Sequence, residues 1–125
     1  MPPANAITWF ELPTADLARA AKFYETVLNR KLIEYAEEPD DVMHLFPADV
    51  AGLTGALIHR TFMKPGSGGA VVYLNVDGDI DGTIERIPRA GGRMLIPRTK
   101  IPGGMGVYAC FRDPEGNVVG LHSSK

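Results

Sequence analysis

The chain has 125 residues, which suits a single domain, and its 45% hydrophobic residues are enough for one core. The net charge is −2 with acidic and basic residues interspersed, so we expect neither nucleic acid nor a membrane as a partner. The single cysteine, Cys110, excludes an internal disulfide and a cysteine-rich metal site. No signal-peptide pattern or long apolar segment is seen, and we therefore expect a cytoplasmic protein.

The first half of the chain predicts one strand, one helix and three further strands. Residues 7–12 are rich in β-branched and aromatic side chains, as is typical of a strand. Asp16 is placed as an N-cap, and apolar residues then recur every three or four positions to about Asn29, which predicts a helix. The next predicted strands cover residues 31–35, 42–46 and 55–61.

The same order of elements restarts after a glycine-rich linker at residues 64–69. Residues 70–76 form a strong strand pattern, and Asp79 is placed as a second N-cap. Isoleucines at helical spacing predict a second helix that Gly91 and Gly92 end. The last predicted strands cover residues 93–96, 107–111 and 118–122.

The two halves match each other at a constant spacing. The separation between Asp16 and Asp79 in the sequence equals the separation between Leu57 and Gly120. Such self-similarity indicates an internal repeat, although two unrelated α+β halves are the alternative.

The repeat predicts an α+β fold in one domain of two tandem βαβββ modules, at about residues 5–63 and 69–125. Each module has one helix to cover one face of a small curved sheet, so the other face stays open. Two modules side by side form a cup-like mixed sheet with helices on its outer face, and a cup is a place for a ligand.

Two segments resemble the signatures of a known family. The segment WFELPTADL at residues 9–17 resembles the opening signature of the vicinal-oxygen-chelate superfamily, which includes glyoxalases, bleomycin-resistance proteins and extradiol dioxygenases. The segment FRDPEGN at residues 111–117 resembles its closing signature. The resemblance spans essentially the whole chain, and it implies a small-molecule ligand and a homodimer.

The resemblance also implies where a metal would be held. Enzymes of this superfamily mostly bind a divalent metal through His, Glu or Gln side chains on four strands. The corresponding positions here are Trp9, Leu57, Val71 and Gly120. None of these residues offers the imidazole, carboxylate or thiolate that such cations need. We therefore expect no metal site and no cofactor.

Strand alternation predicts the lining of the cup. The side chains expected to face it are Trp9, Glu11, Leu57, His59, Val71, Tyr73, Asn75, Tyr108, Cys110, Gly120 and His122. This mostly apolar and aromatic set suits a flat or aromatic small molecule. The residues that we assign to ligand binding are Trp9, Glu11, Leu57, Val71, Tyr73, Tyr108 and Gly120.

Three residues are candidates for catalysis. Glu11 lies between two apolar residues, so its carboxylate is either a solvated outward group or a partly buried group with a raised pKa, which is a candidate base. His59 and His122 occupy equivalent positions of the repeat and are candidate acid–base groups, with ordinary strand-end or surface residues as the alternative.

Several functions follow from these observations. The first is a metal-free protein that sequesters a small, partly apolar molecule, as drug-resistance members of the superfamily do. The second is a metal-independent isomerase, lyase or hydrolase with Glu11 as its base. The missing ligands oppose a metal-dependent lactoylglutathione lyase or dioxygenase, and a purely structural dimer is a further alternative.

Overall fold

The computed structural model describes residues 2–36, 42–49 and 51–125, and it contains the predicted order of elements. The elements are β1 (Trp9–Pro13), α1 (Leu17–Leu28), β2 (Ile33–Ala36), β3 (Val42–Leu45), β4 (Thr54–Ile58), β5 (Tyr73–Asn75), α2 (Ile80–Arg89), β6 (Arg93–Lys100), β7 (Val107–Arg112) and β8 (Val118–Ser123). The α+β fold of two βαβββ modules is thereby confirmed. Neither helix of the described residues has the length and apolar character needed to cross a membrane.

The strands form two four-stranded mixed sheets, one from each module. The order is β1-β4-β3-β2 in the first sheet and β5-β8-β7-β6 in the second. The first strand of each module runs parallel to its neighbour, whereas the other neighbours are antiparallel. Within the described ranges, β1 and β5 each pair with a strand on one side only.

Two strands differ in length from their predictions. The strand predicted over residues 70–76 is reduced to Tyr73–Asn75, because its pairing with β8 begins only at Tyr73. β6 continues beyond the predicted residue 96 to Lys100, because β7 supplies partners along that length through two register shifts.

The repeat does not keep the constant spacing that the sequence indicated. Leu12 pairs with Leu57 in the first sheet, and Leu74 pairs with Leu121 in the second; all four side chains are buried in the core. The equivalent of Leu57 is therefore Leu121 rather than its neighbour Gly120. Leu57 is also farther from Leu121 in the sequence than Leu12 is from Leu74. A match at one constant spacing thus misplaces the last strand by one position.

The helix caps differ between the modules. The carboxylate of Asp16 accepts a hydrogen bond from the backbone N–H of Arg19, so its predicted role as N-cap is confirmed. Asp79 precedes α2 but makes no such bond, because its carboxylate pairs with the guanidinium of Arg86. The predicted N-cap position of Asp79 is therefore confirmed, but its side chain does not cap the helix.

The turn between β7 and β8 binds the N-terminal end of α1. Glu115 accepts hydrogen bonds from the backbone N–H groups of Ala15 and Asp16, each at 2.8 Å, and pairs with Arg19 at 2.7 Å. Asn117 donates from Nδ2 to the carbonyl oxygen of Pro13 at 2.8 Å. A carboxylate at this end of a helix satisfies unpaired N–H groups and complements the helix dipole. One module thus supplies the polar partners of the other module's helix.

The same turn holds a buried carboxylate below α1. Tyr24 donates from its hydroxyl to Asp113 Oδ2 at 2.7 Å, and the backbone N–H groups of Glu115 and Asn117 donate to Oδ1 at 2.9 Å. Burial raises the pKa of Asp113, and these hydrogen bonds offset that effect only in part. Burial and then the charge of Asp113 raise the pKa of Tyr24 well above its usual value, so the hydroxyl keeps its proton.

We expect Tyr24→Phe to destabilise the fold because it removes the side-chain donor to a buried carboxylate. Loss of a hydrogen bond to a buried partner costs about 1–3 kcal/mol. Urea unfolding at neutral pH measures the free energy of unfolding of both proteins. An unchanged free energy would mean that the bond contributes nothing net.

Glu115→Gln is expected to make the free energy of unfolding less sensitive to a fall in pH. Burial raises the pKa of Glu115, but the hydrogen bonds from Arg19 and from the backbone of Asp16 and Ala15 outweigh it, and the pKa is lowered overall. A carboxyl with a lowered folded pKa stabilises the protein above its unfolded pKa, and this is lost as the pH falls through the folded value. Between about pH 6 and about pH 3, the free energy of unfolding measured in urea should therefore fall less in the variant than in the wild type. Equal losses in both proteins would contradict the assignment.

Candidate functional site

A cleft of about 950 Å³ lies between the two end strands β1 and β5. One wall comes from β1, the other from residues 70–75, and the loop between β3 and β4 contributes a third side. Polar groups at the rim include Arg30, Asp49 and Asp77. Hydrogen bonding by the backbone N–H of Ser124 lowers the pKa of Asp77, which keeps this carboxylate ionised.

The cleft brings together three residues that the sequence assigned to ligand binding. Trp9 contributes from β1, and Val71 and Tyr73 contribute from the opposite wall. Their exposed fractions are 41%, 41% and 50%, so all three present apolar surface to solvent. Asn75, also predicted to face the cup, lines the same cleft.

Tyr73 lies across a neighbouring strand on the second sheet. Its ring covers Gly120 so closely that an added Cβ would overlap Tyr73 Cδ2. Its hydroxyl is 3.7 Å from Cys110 Sγ, and its ring meets that of Tyr108 at a centroid distance of 6.2 Å. The hydrogen bond with Cys110 and then partial burial raise the pKa of Tyr73. The predicted ligand-binding residues Tyr108 and Gly120 therefore lie against Tyr73 and are not among the residues that line the cleft.

Leu57 does not face the cup. Its side chain is fully buried in the hydrophobic core, opposite Leu12 in the register of β1 and β4. The predicted orientation was wrong because it depended on the constant spacing of the repeat. Ala56 is the residue of β4 that pairs with Glu11 and shares its face of the sheet.

Glu11 is engaged through both carboxylate oxygens. Oε1 accepts a hydrogen bond from Arg60 at 2.9 Å, and Oε2 accepts one from Trp9 Nε1 at 3.3 Å. The side chains of Glu11 and Arg60 are each 25% exposed, so the ion pair is partly buried.

The two candidate histidines bind backbone carbonyls in separate places. His59 lies beyond the end of β4, and its Nδ1 donates to the carbonyl of Thr14 at 2.8 Å. His122 lies on β8, and its Nε2 donates to the carbonyl of Met105 at 2.8 Å. None of the described hydrogen bonds joins either ring to Glu11. These three candidates do not form a hydrogen-bonded acid–base set.

Some residues of the site were not predicted from the sequence. Phe10, Phe46 and Leu53 line the cleft, and Arg60 holds Glu11. Asp49 and Gly52 have the same spacing in the sequence as Asp113 and Gly116 in the turn before β8, and this similarity is a signal for a turn between β3 and β4. No local pattern indicates a contact between Arg60 and a strand so distant in the sequence.

The donor set does not fit the divalent metal that the fold family implies. With the register of the structure, the four ligand positions carry Trp9, Ala56, Val71 and Gly120, which have no ligating side chain. Among residues 2–36, 42–49 and 51–125, no three His, Cys, Asp or Glu side chains converge to hold a metal ion.

Comparison with known proteins places the chain in a family. The model of the Glyoxalase/Bleomycin resistance protein/Dioxygenase superfamily matches residues 6–121. The chain is 33% identical over 115 residues to a glyoxylase-like domain-containing protein of Didymella fabae, covering 89% of this chain and 88% of the relative. It is 30% identical over 112 residues to a lactoylglutathione lyase of Haemophilus influenzae, covering 84% and 82%.

A solved structure of similar length has the same fold. TnmS3, an antibiotic binding protein from Streptomyces sp. CB03234, superposes with a TM-score of 0.68 at 25% identity and covers 98% of each chain. The chain therefore belongs to the Glyoxalase/Bleomycin resistance protein/Dioxygenase superfamily, and the resemblance found in its sequence is confirmed.

We expect Gly120→Ala and Tyr73→Ala to speed alkylation of Cys110 by iodoacetamide severalfold, because the first displaces and the second removes the ring whose hydroxyl contacts this buried thiol. Cys110 is the only cysteine, so one rate is measured. Gly68→Ala is the matched control, since its Cβ meets nothing within 4 Å. Rates equal to the control would contradict the covering role of Tyr73.

Proposed function

We propose that this protein binds a small, partly apolar and flat molecule in the cleft between β1 and β5 without a metal ion. Sequestration of that molecule is the function. The observation that supports this proposal most directly is a cleft of about 950 Å³ with Trp9 and Tyr73 on opposite walls. The family's metal-ligand positions carry no ligating side chain.

The size and chemistry of the cleft support this proposal. Sites for small ligands commonly enclose about 300–1,000 Å³ and combine apolar walls with a few polar groups. Trp9, Tyr73 and Val71 supply the apolar surface, and Arg30 and Asp77 supply polar groups at the rim. Aromatic side chains favour a planar ligand because rings pack face to face with an offset or edge to face.

The names of the similar proteins point to two different functions, binding and catalysis. TnmS3 is an antibiotic binding protein, which supports a binding function for a chain of this length. The lactoylglutathione lyase of H. influenzae supports an enzyme instead. The chemistry of Trp9, Ala56, Val71 and Gly120 opposes transfer of metal-dependent catalysis to this chain.

A metal-independent isomerase, lyase or hydrolase is the second candidate. It is favoured by the partly buried carboxylate of Glu11, which lies next to Trp9. It is opposed by the two partners that occupy the carboxylate oxygens. Turnover of a bound compound that Glu11→Gln abolishes would support it, whereas saturable binding without turnover supports the binding protein.

We also propose that two copies pair through the outer end strands of their sheets. β2 and β6 are these strands, and the exposed apolar side chains Ile33, Leu95 and Ile96 lie on them. Exposed strand edges with apolar side chains favour pairing with another chain. Light scattering should give the mass of a dimer, and a monomer at micromolar concentration would contradict this.

Trp9→Ala and Tyr73→Ala are expected to weaken ligand binding. A calorimetric screen with acridine and anthraquinone dyes and planar antibiotics identifies a compound that binds the wild-type protein. Loss of one aromatic contact of about 0.5–1.5 kcal/mol weakens the affinity by up to about tenfold. Phe62→Ala is the matched control, because this aromatic side chain is 80% exposed and lies outside the cleft lining.

Two results would contradict the proposal. One is a screen in which no compound binds the wild-type protein. The other is a bound compound whose affinity responds to Phe62→Ala but to neither cleft variant.

A further inference from the structure

We propose that Glu11 and Arg60 are positioning residues that hold the indole of Trp9 in place as the β1 wall of the cleft. The consequence for ligand affinity rests on the proposed function, but the positioning itself does not. This assigns Glu11 a role other than that of a general base.

The first step is the position of Trp9 relative to Glu11. The two residues are two positions apart on β1, so their side chains project from the same face of the strand. The indole N–H donates to Glu11 Oε2 at 3.3 Å. Trp9 is the first residue of β1, and the residues described before it are exposed, so the chain before it provides little packing that would fix the ring.

The second step is the anchoring of Glu11 by Arg60. Arg60 follows β4, and a short bridge with Met63 holds its backbone, where the N–H of Met63 donates to the carbonyl of Arg60 at 3.1 Å. Its guanidinium donates to Glu11 Oε1 at 2.9 Å and also lies 3.9 Å from Met63 Sδ. A guanidinium fixed from a different element restricts the rotamers of the carboxylate.

The third step is the consequence for the cleft. Trp9 lines the cleft and is 41% exposed, so without a polar anchor its ring would exchange between rotamers. A wall that is already ordered costs less conformational entropy when a ligand binds. The order of contacts from Arg60 to Glu11 to Trp9 therefore prepares one side of the cleft for a flat ligand.

The chain offers a direct probe of this arrangement. Trp9 is the only tryptophan, so the intrinsic tryptophan emission and its time-resolved anisotropy report on this side chain alone. Glu11→Ala removes both contacts, and Arg60→Gln removes the anchor of the carboxylate. Glu11→Gln keeps one amide oxygen as an acceptor and leaves the indole N–H or Arg60 without its partner.

A matched control is the exposed ion pair between Arg89 and Glu85 on α2, whose distance is also 2.9 Å. Arg89→Gln breaks this pair at a site outside the cleft lining. Urea unfolding of each variant establishes that it is folded at the temperature of the optical measurements. Glu11→Gln, the most conservative change, serves where Glu11→Ala does not fold.

We expect the ligand-free Glu11→Ala and Arg60→Gln proteins to show a red-shifted emission, stronger acrylamide quenching and faster indole motion than the wild type. Glu11→Gln should lie between them and the wild type, and Arg89→Gln should match the wild type. Calorimetry with an acridine dye that binds the wild type should show an affinity reduced by up to about tenfold in Glu11→Ala and Arg60→Gln.

Emission and indole motion that are unchanged in folded Glu11→Ala, Glu11→Gln and Arg60→Gln proteins would overturn the positioning role. The expected optical changes in a protein that binds no compound would uphold the positioning and overturn the proposed function. Optical changes with unaltered affinity would overturn the link between the two.

Discussion

The turn between β7 and β8 is the constraint on which the arrangement of the two modules depends. Glu115 binds the backbone N–H groups of Ala15 and Asp16 directly before α1, and Asn117 binds the carbonyl of Pro13 at the end of β1. Asp113 is buried beneath the helix and receives the hydroxyl of Tyr24. These contacts join the second module to the β1–α1 connection of the first. They therefore fix the position of β1, which forms one wall of the cleft. Packing of the aromatic rings around Tyr24 then completes the core on the other side of this connection.

The cleft exists because the first strands of the two modules are paired on one side only in the described part of the chain. Unpaired strand edges expose backbone polar groups, and proteins usually cover or charge them. Here the two edges face a common space with Trp9 on one wall and Tyr73 on the other. Each aromatic side chain makes a polar contact within its own module: the indole N–H of Trp9 with Glu11, and the hydroxyl of Tyr73 with Cys110. Apolar surface that is held open in this way costs stability, which a bound ligand would restore.

Much of the fold could be predicted from sequence because local patterns determine it. Apolar residues at helical spacing and an N-cap at Asp16 predicted α1, and the restart of the element pattern after residues 64–69 predicted the two modules. The site was predicted only in part. Trp9, Val71 and Tyr73 were identified from strand alternation, but alternation did not assign Phe10, Val72 and Leu74 to the cup, and these residues line the same cleft. Leu57 was misplaced because a one-residue change of register moves every side chain of a strand to the other face. The contact of Arg60 with β1 depends on tertiary structure, which no periodicity encodes.

The central claim is that this member of the superfamily uses its cleft without a metal ion. Elemental analysis of the purified protein, followed by anaerobic calorimetric titration with Ni²⁺, Zn²⁺, Mn²⁺, Fe²⁺ and Mg²⁺, tests it most directly. We expect no stoichiometric metal and no saturable heat, because Trp9, Ala56, Val71 and Gly120 offer no ligand atoms. One tightly bound metal per chain, lost when a cleft residue is changed, would contradict the account and restore metal-dependent catalysis.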